Sequence, residues 1–159
     1  MTLDTKSFDL YRILPLPPDK LWEVLTDPHH RAKWAGPDAE TVMEVDRADV
    51  RVGGQDRHRC GPADAPEFLV DARWYDLAAP DRAVFTETLI FGGDAVCTSL
   101  VTYALATEGK GSKLSLPVAV SSFTGPDTLA EVQQGWDGGL ENLMRYAPTV
   151  MAPHYPPAK

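Results

Sequence analysis

Asp56, His58 and Cys60 occupy alternate positions in the segment Gln55-Asp56-Arg57-His58-Arg59-Cys60. On a strand, all three side chains would leave the same face, because successive side chains alternate. A carboxylate and an imidazole two residues apart on one face lie within reach of each other. Imidazole titrates near neutral pH, so Asp56 and His58 have the composition of a general acid–base pair. Strand register decides which face they occupy, and a slip of one residue sends all three to solvent. An inward placement would bury charge, which is costly unless it is paired, and would point to a working role.

The remaining reactive side chains form no such constellation. His29-His30 has no third ligand nearby and reads as a solvated pair at a helix start, so no metal is expected. Cys60 and Cys97 lie in no CxxC pair and have no metal-ligand spacing around them. They read as two reduced, buried thiols of a cytoplasmic protein. Ser121-Ser122 lacks the glycine frame of a nucleophile elbow and reads as loop or cap. Phosphate loops, dinucleotide fingerprints and zinc spacings are absent from the sequence, so no cofactor is expected.

The elements that must position these residues follow from periodicity and turn chemistry. Residues Phe8 to Leu14 read as a strand, stopped by Pro15, Pro17 and Pro18. Pro18 or Asp19 opens a helix whose apolar side is Leu21, Trp22, Val24 and Leu25, and Asp27-Pro28 ends it. A short helix from about His29 to Trp34 follows, stopped by Gly36-Pro37. Thr41 to Val52 reads as one extended stretch and Gly53-Gly54 as a turn or bulge. Further strands are expected at Gln55–Cys60, Phe68–Leu77, Ala83–Phe91, Ala95–Thr107 and Ser112–Val120, with hairpins at Gly92-Gly93-Asp94 and Glu108-Gly109-Lys110-Gly111. Between the first two of these lies a Gly/Pro/Asp loop from Gly61 to Pro66.

The last element is the clearest. Gly125-Pro126-Asp127 opens a helix, and Leu129, Val132, Trp136, Leu140, Leu143 and Met144 recur at three- and four-residue steps. The helix should run to about Tyr146, leaving 148–159 as an irregular proline-rich tail. Trp136 sits mid-stripe, so Trp136→Ala is expected to cost about 3–5 kcal/mol. Gly135, Gly138 and Gly139 fall inside this helix, where each costs up to about 1 kcal/mol against alanine. Either they let the helix approach the sheet or they leave room for a ligand.

This order gives an α+β fold. A curved antiparallel sheet of about six to seven strands covers its apolar face with one long C-terminal helix. The 159 residues form a single domain, 1–159, with a core at 8–147. A net charge of −8 disfavours nucleic acid and anionic membrane surfaces as partners. No apolar run reaches 18 residues and no signal core opens the chain, so a cytoplasmic protein that spans no membrane is expected.

Leu16-Pro17-Pro18-Asp19-Lys20-Leu21-Trp22-Glu23-Val24-Leu25-Thr26-Asp27-Pro28 resembles the opening of bacterial START-like (SRPBCC) proteins. More narrowly, it resembles the subfamily homologous to the heat-shock-protein-90 ATPase activator. Trp34-Ala35-Gly36-Pro37, Arg51-Val52-Gly53-Gly54, Val84-Phe85-Thr86 and Gly135-Trp136 stand in that family's order, and the likeness spans Phe8 to Tyr146. The resemblance implies a helix-grip fold with a cavity between sheet and long helix. It also implies an inward register for Asp56 and His58, at positions where the family carries apolar or aromatic side chains. It does not imply one activity, because members include hydrophobic-ligand carriers and polyketide cyclases.

Three functions remain open. The first is a small-molecule binding protein for an apolar or aromatic ligand, with His58, Phe68, Val70, Trp74, Val101, Tyr103, Trp136 and Leu140 as the lining residues. The second is a cyclase- or hydrolase-type enzyme using Asp56 and His58. The third is a chaperone-associated protein, with a protein partner or a homodimer. The residues lean toward binding over catalysis, because Asp56 and His58 are the enzyme reading's only candidates and depend on strand register.

Overall fold

A computed structural model describes residues 4–36, 40–62 and 68–151 of the chain. Seven strands form one antiparallel sheet in the order β1-β7-β6-β5-β4-β3-β2. Strand β1 (Thr5–Leu14) is followed by α1 (Pro18–Thr26) and α2 (Pro28–Trp34). The meander β2 (Val42–Arg47), β3 (Gln55–Gly61), β4 (Phe68–Ala78), β5 (Arg82–Phe91), β6 (Asp94–Glu108) and β7 (Gly111–Ser122) comes next, and α3 (Pro126–Met151) closes the chain. This is the helix-grip arrangement expected from the sequence.

Each break has a local cause. Pro18 and Pro28 take the first turns of α1 and α2, where a missing N–H is harmless. Asp27 ends α1 and caps α2, its carboxylate accepting from the His29 N–H at 2.8 Å. Glycines with positive φ turn the β5–β6 hairpin (Gly92 and Gly93).

Two expected boundaries are corrected. The stretch 41–52 is not one strand: β2 ends at Arg47, with a register shift between Val45 and Arg47. A folded loop follows. In it the Gly54 N–H donates to the Arg51 carbonyl at 2.7 Å, and a Cβ on Gly54 would stand 1.9 Å from the Asp49 carbonyl oxygen. Glycine is therefore obligatory there, and the chain folds tightly rather than extending. The last helix does not stop near Tyr146 but runs on through Pro148 to Met151. Ala147 is fully buried and Val150 packs against the core, so apolar burial holds the final turn despite the missing proline N–H. Residues 63–67 and 152–159, which cover most of the expected Gly/Pro/Asp loop and the rest of the tail, lie outside the described residues.

Sheet register places side chains on the concave face in cross-strand rows. One row runs His58, Val70, Leu89, Cys97. The next runs Asp56, Ala72, Glu87, Ser99, and a third runs Trp74, Phe85, Val101, Val118. The third row, with Leu114, Leu116, Leu140 and Leu143, is the dense core beneath the C-terminal half of α3. The first two rows underlie its N-terminal half, where the packing opens.

Candidate functional site

A pocket of about 720 Å³ lies between those first rows and α3. Its floor is β3 to β6, with His58 and Cys60, Phe68 and Val70, Glu87 and Leu89, and Ser99 and Tyr103. Arg31 and Trp34 of α2, with its C-cap Ala35, close one end, and Val132, Gly135, Trp136 and Gly139 of α3 form the roof. Phe91, Asp94, Thr124 and Glu131 stand at the rim, all exposed, so the pocket opens toward the β5–β6 hairpin.

Five of the eight expected lining residues are brought together here: His58, Phe68, Val70, Tyr103 and Trp136. Trp74, Val101 and Leu140 are not among them. All three are buried in the dense core, Trp74 and Val101 from the third row and Leu140 from α3. Of the three helix glycines, Gly135 and Gly139 face the pocket. A Cβ on Gly139 would meet the carbonyl oxygens of Gly36, Ala35 and Trp34 at 3.6, 3.9 and 4.0 Å, ordinary contacts with the end of α2. Gly139 thus sits where α3 runs close to the backbone at the end of α2, while also bordering the pocket.

Asp56 and His58 both point inward, yet their fates differ. Asp56 is fully buried and does not line the pocket. Its carboxylate accepts from Arg31 Nη1 at 2.5 Å, Trp74 Nε1 at 3.0 Å and the Asp49 N–H at 2.8 Å. The Arg31 guanidinium also lies over the Trp74 ring, 5.5 Å from its centroid. Such a satisfied, paired carboxylate is a structural clamp between α2, β3 and β4. His58 is 2% exposed and its Nδ1 has no hydrogen-bond partner. Burial, reinforced by the Arg31 charge, lowers its pKa from 6.5 to about 3, so the ring is neutral near pH 7.

Among the site residues that went unnoticed in the sequence, two bring ionisable groups to the pocket's interior. Glu87 faces the pocket between Ala72 and Ser99, and burial raises its carboxyl from 4.5 to about 7 against the opposing pull of Arg31. The signal was legible: Phe85, Glu87 and Leu89 alternate on β5, so a carboxyl interrupts an apolar face. Arg31 gave no such signal, because a seven-residue helix has too little periodicity to show which cation turns inward. Desolvation also raises the Cys60 thiol to about 12 and the Cys97 thiol to about 11, which makes both poor nucleophiles. His30 is occupied by Tyr146, its Nδ1 lying 2.6 Å from the phenol oxygen. The Ser122 hydroxyl donates to the Gly125 carbonyl and accepts from the Thr124 N–H, a loop lock. Among the described residues no group of three or more His, Cys, Asp and Glu could hold a metal ion, and no helix is long and apolar enough to cross a membrane.

The profile of the family described as Activator of Hsp90 ATPase homolog 1-like protein matches residues 15–147. The chain belongs to that family. Solved structures carry the same fold. Mll3558 protein from Rhizobium loti is 27% identical with a TM-score of 0.77, over 91% of this chain and 99% of that one. The AHSA1-like protein from Aeromonas hydrophila is 21% identical with a TM-score of 0.74, over 97% and 100% of the two chains. A protein from the dynemicin biosynthetic locus, DynU16, is 22% identical with a TM-score of 0.66; the match covers 90% of this chain and 47% of that one. A comparison with curated proteins returns no match. This AHSA1-like chain therefore takes its fold and family from relatives and its site from its own side chains.

Proposed function

We propose that this AHSA1-like protein binds a small molecule with an apolar or aromatic body in the pocket beneath α3. The observation that carries the reading is the pocket itself. About 720 Å³ lies within the usual range for small-molecule sites, and a mostly apolar lining with a few convergent polar groups is their common composition. Aromatic and aliphatic walls (Trp34, Phe68, Val70, Leu89, Trp136) supply affinity, while His58, Glu87, Ser99 and Tyr103 supply orientation.

The rival acid–base reading finds less support. Asp56 is committed to Arg31, Trp74 and Asp49, and His58 is too weak a base to take a proton near neutral pH. A chaperone-linked role rests on the family's name alone, and fold does not fix function. Two free, buried thiols accord with a reducing, cytoplasmic setting.

An uncharged solvatochromic dye should bind the folded protein at one per chain with a blue-shifted emission. Native mass spectrometry of protein purified from its own host should show an added mass of a few hundred daltons. A dye that binds only the denatured protein, together with a bare mass, would remove the reading.

A further inference from the structure

We propose that the ligand's polar end is a basic amine, held as its ammonium by the Glu87 carboxylate and the unpartnered ring nitrogen of His58 at the floor of the pocket. This rests on the binding role proposed above and narrows it to a ligand class.

The charges around the pocket point one way. Among the described residues, Arg31 is the one lysine or arginine on its lining, and that guanidinium is already held 2.5 Å from the Asp56 carboxylate. The pair is neutral as a unit. Among the described residues, the carboxylic acids on the wall and rim are Glu87, Asp94 and Glu131. A carboxylate or phosphate head would meet these acids with no free cation to offset them, whereas an ammonium would meet acceptors.

The hydrogen-bonding inventory agrees. His58 Nδ1 is buried and unsatisfied, an expensive condition unless a ligand relieves it. The neutral ring can present that nitrogen as an acceptor, with the proton on Nε2. Glu87 stands in the neighbouring cross-strand row, two strands away on β5. Two strand spacings amount to about 10 Å between backbones, so both side chains can converge on one head group. Trp136 and Tyr103, 6.4 Å apart and edge to face, stand on the roof and floor of the same pocket. Aromatic rings near a cation add to its binding.

Competition for a proton between pH 5.5 and 8.5 depends on the groups that face Glu87. Facing Glu87 from β3 are Asp56, which is paired, and His58 and Cys60, which stay neutral because burial pushes them to about 3 and about 12. From β6 come Ser99, Cys97 and Tyr103; the thiol lies at about 11 and the phenol is shifted higher still by burial. Beside Glu87 on β4 stands Ala72; α2 contributes Arg31 and α3 Glu131. Glu87, raised to about 7 by desolvation, is thus the pocket group that changes charge in this interval.

Decylamine, decanol and decanoate share one apolar body and differ only in the head, so calorimetric titration with the three at pH 5.5 and 8.5 tests the assignment. At pH 8.5 decylamine should bind one per chain and at least about tenfold tighter than decanol, with decanoate weakest. At pH 5.5 the amine's advantage should shrink severalfold. In Glu87→Gln, which keeps size and shape, the amine's advantage over decanol should be small at both pH values. Glu23→Gln, an exposed site on α1, removes the same net charge and must leave the preference intact. Decanoate or decanol binding as tightly as the amine, or a preference that survives Glu87→Gln or is lost equally in Glu23→Gln, overturns the amine assignment and leaves the pocket reading standing. Failure of all three probes to bind overturns both.

Discussion

Glu87 and His58 carry opposite pH dependences, and the sign of each follows from its environment. Unfolded, Glu87 loses its proton near 4.5; folded, near 7. Between those values the folded state holds more protons, so the stability Glu87 contributes is full below pH 4.5 and lost as pH rises through 7. His58 works the other way. Its folded pKa of about 3 lies below the unfolded 6.5, so its contribution is full above pH 6.5 and lost as pH falls toward 3. From pH 4.5 to 6.5 the two slopes cancel. Glu87→Gln should unmask the histidine, and denaturant melts should show the variant gaining up to about 3 kcal/mol on wild type between pH 4.5 and 8. A difference between variant and wild type that stays constant across this range would mean that Glu87 is solvated rather than turned into the pocket. Cross-strand placement made this pair hard to anticipate. Alternation within one strand is readable, but the alignment of β3 with β5 through β4 is a property of register.

At the scale of elements, α3 divides into two halves with different duties. Its C-terminal half supplies fully buried Leu140 and Leu143 to the dense core. Its N-terminal half roofs the pocket, and Trp136 is only half-buried there, packed at its edge against Tyr103. The large loss expected for Trp136 from the stripe alone is therefore revised downward. Leu143→Ala should cost about 2–5 kcal/mol, whereas Trp136→Ala should cost below about 2 kcal/mol and weaken dye binding sharply. Urea melts in which the tryptophan variant loses more than the leucine variant would contradict this division. Helical periodicity identified the stripe correctly, since it reports which side of a helix is apolar. It could not tell a side chain pressed into neighbours from one bordering empty space, because both positions select apolar residues. The clamp from α2 was equally hidden. Asp56→Asn should cost about 3–5 kcal/mol in the same melts, because it leaves the Arg31 guanidinium buried without its charge partner. A loss under 1 kcal/mol would show that the pair is not held as tightly as its 2.5 Å contact indicates.

For the whole molecule, a pocket of about 720 Å³ ties stability to whatever binds in it. Strand order, the two short helices and the long final helix were readable because turn glycines, prolines and periodicity are local signals. The pocket is the remainder left when a curved sheet of seven strands is spanned by one helix. Its size depends on which rows α3 touches, which no local signal encodes. Walls that surround empty space lack the contacts they would make in a filled core. A ligand that binds only the folded state adds RT ln(1 + [L]/Kd), about 2.7 kcal/mol at a hundredfold excess over Kd. For a chain of this length that corresponds to a Tm increase of roughly 5–10 °C. Protein purified natively from its host, with its ligand retained, should therefore melt higher than the same protein unfolded in denaturant, dialysed and refolded. Adding back the small-molecule extract of the native preparation should restore the difference, and Glu87→Gln should reduce the recovery at pH 8.5 more than at pH 5.5. Identical melting before and after stripping, with no response to the extract, would mean that the walls are stable around empty space and that occupancy is not part of how this chain holds its fold.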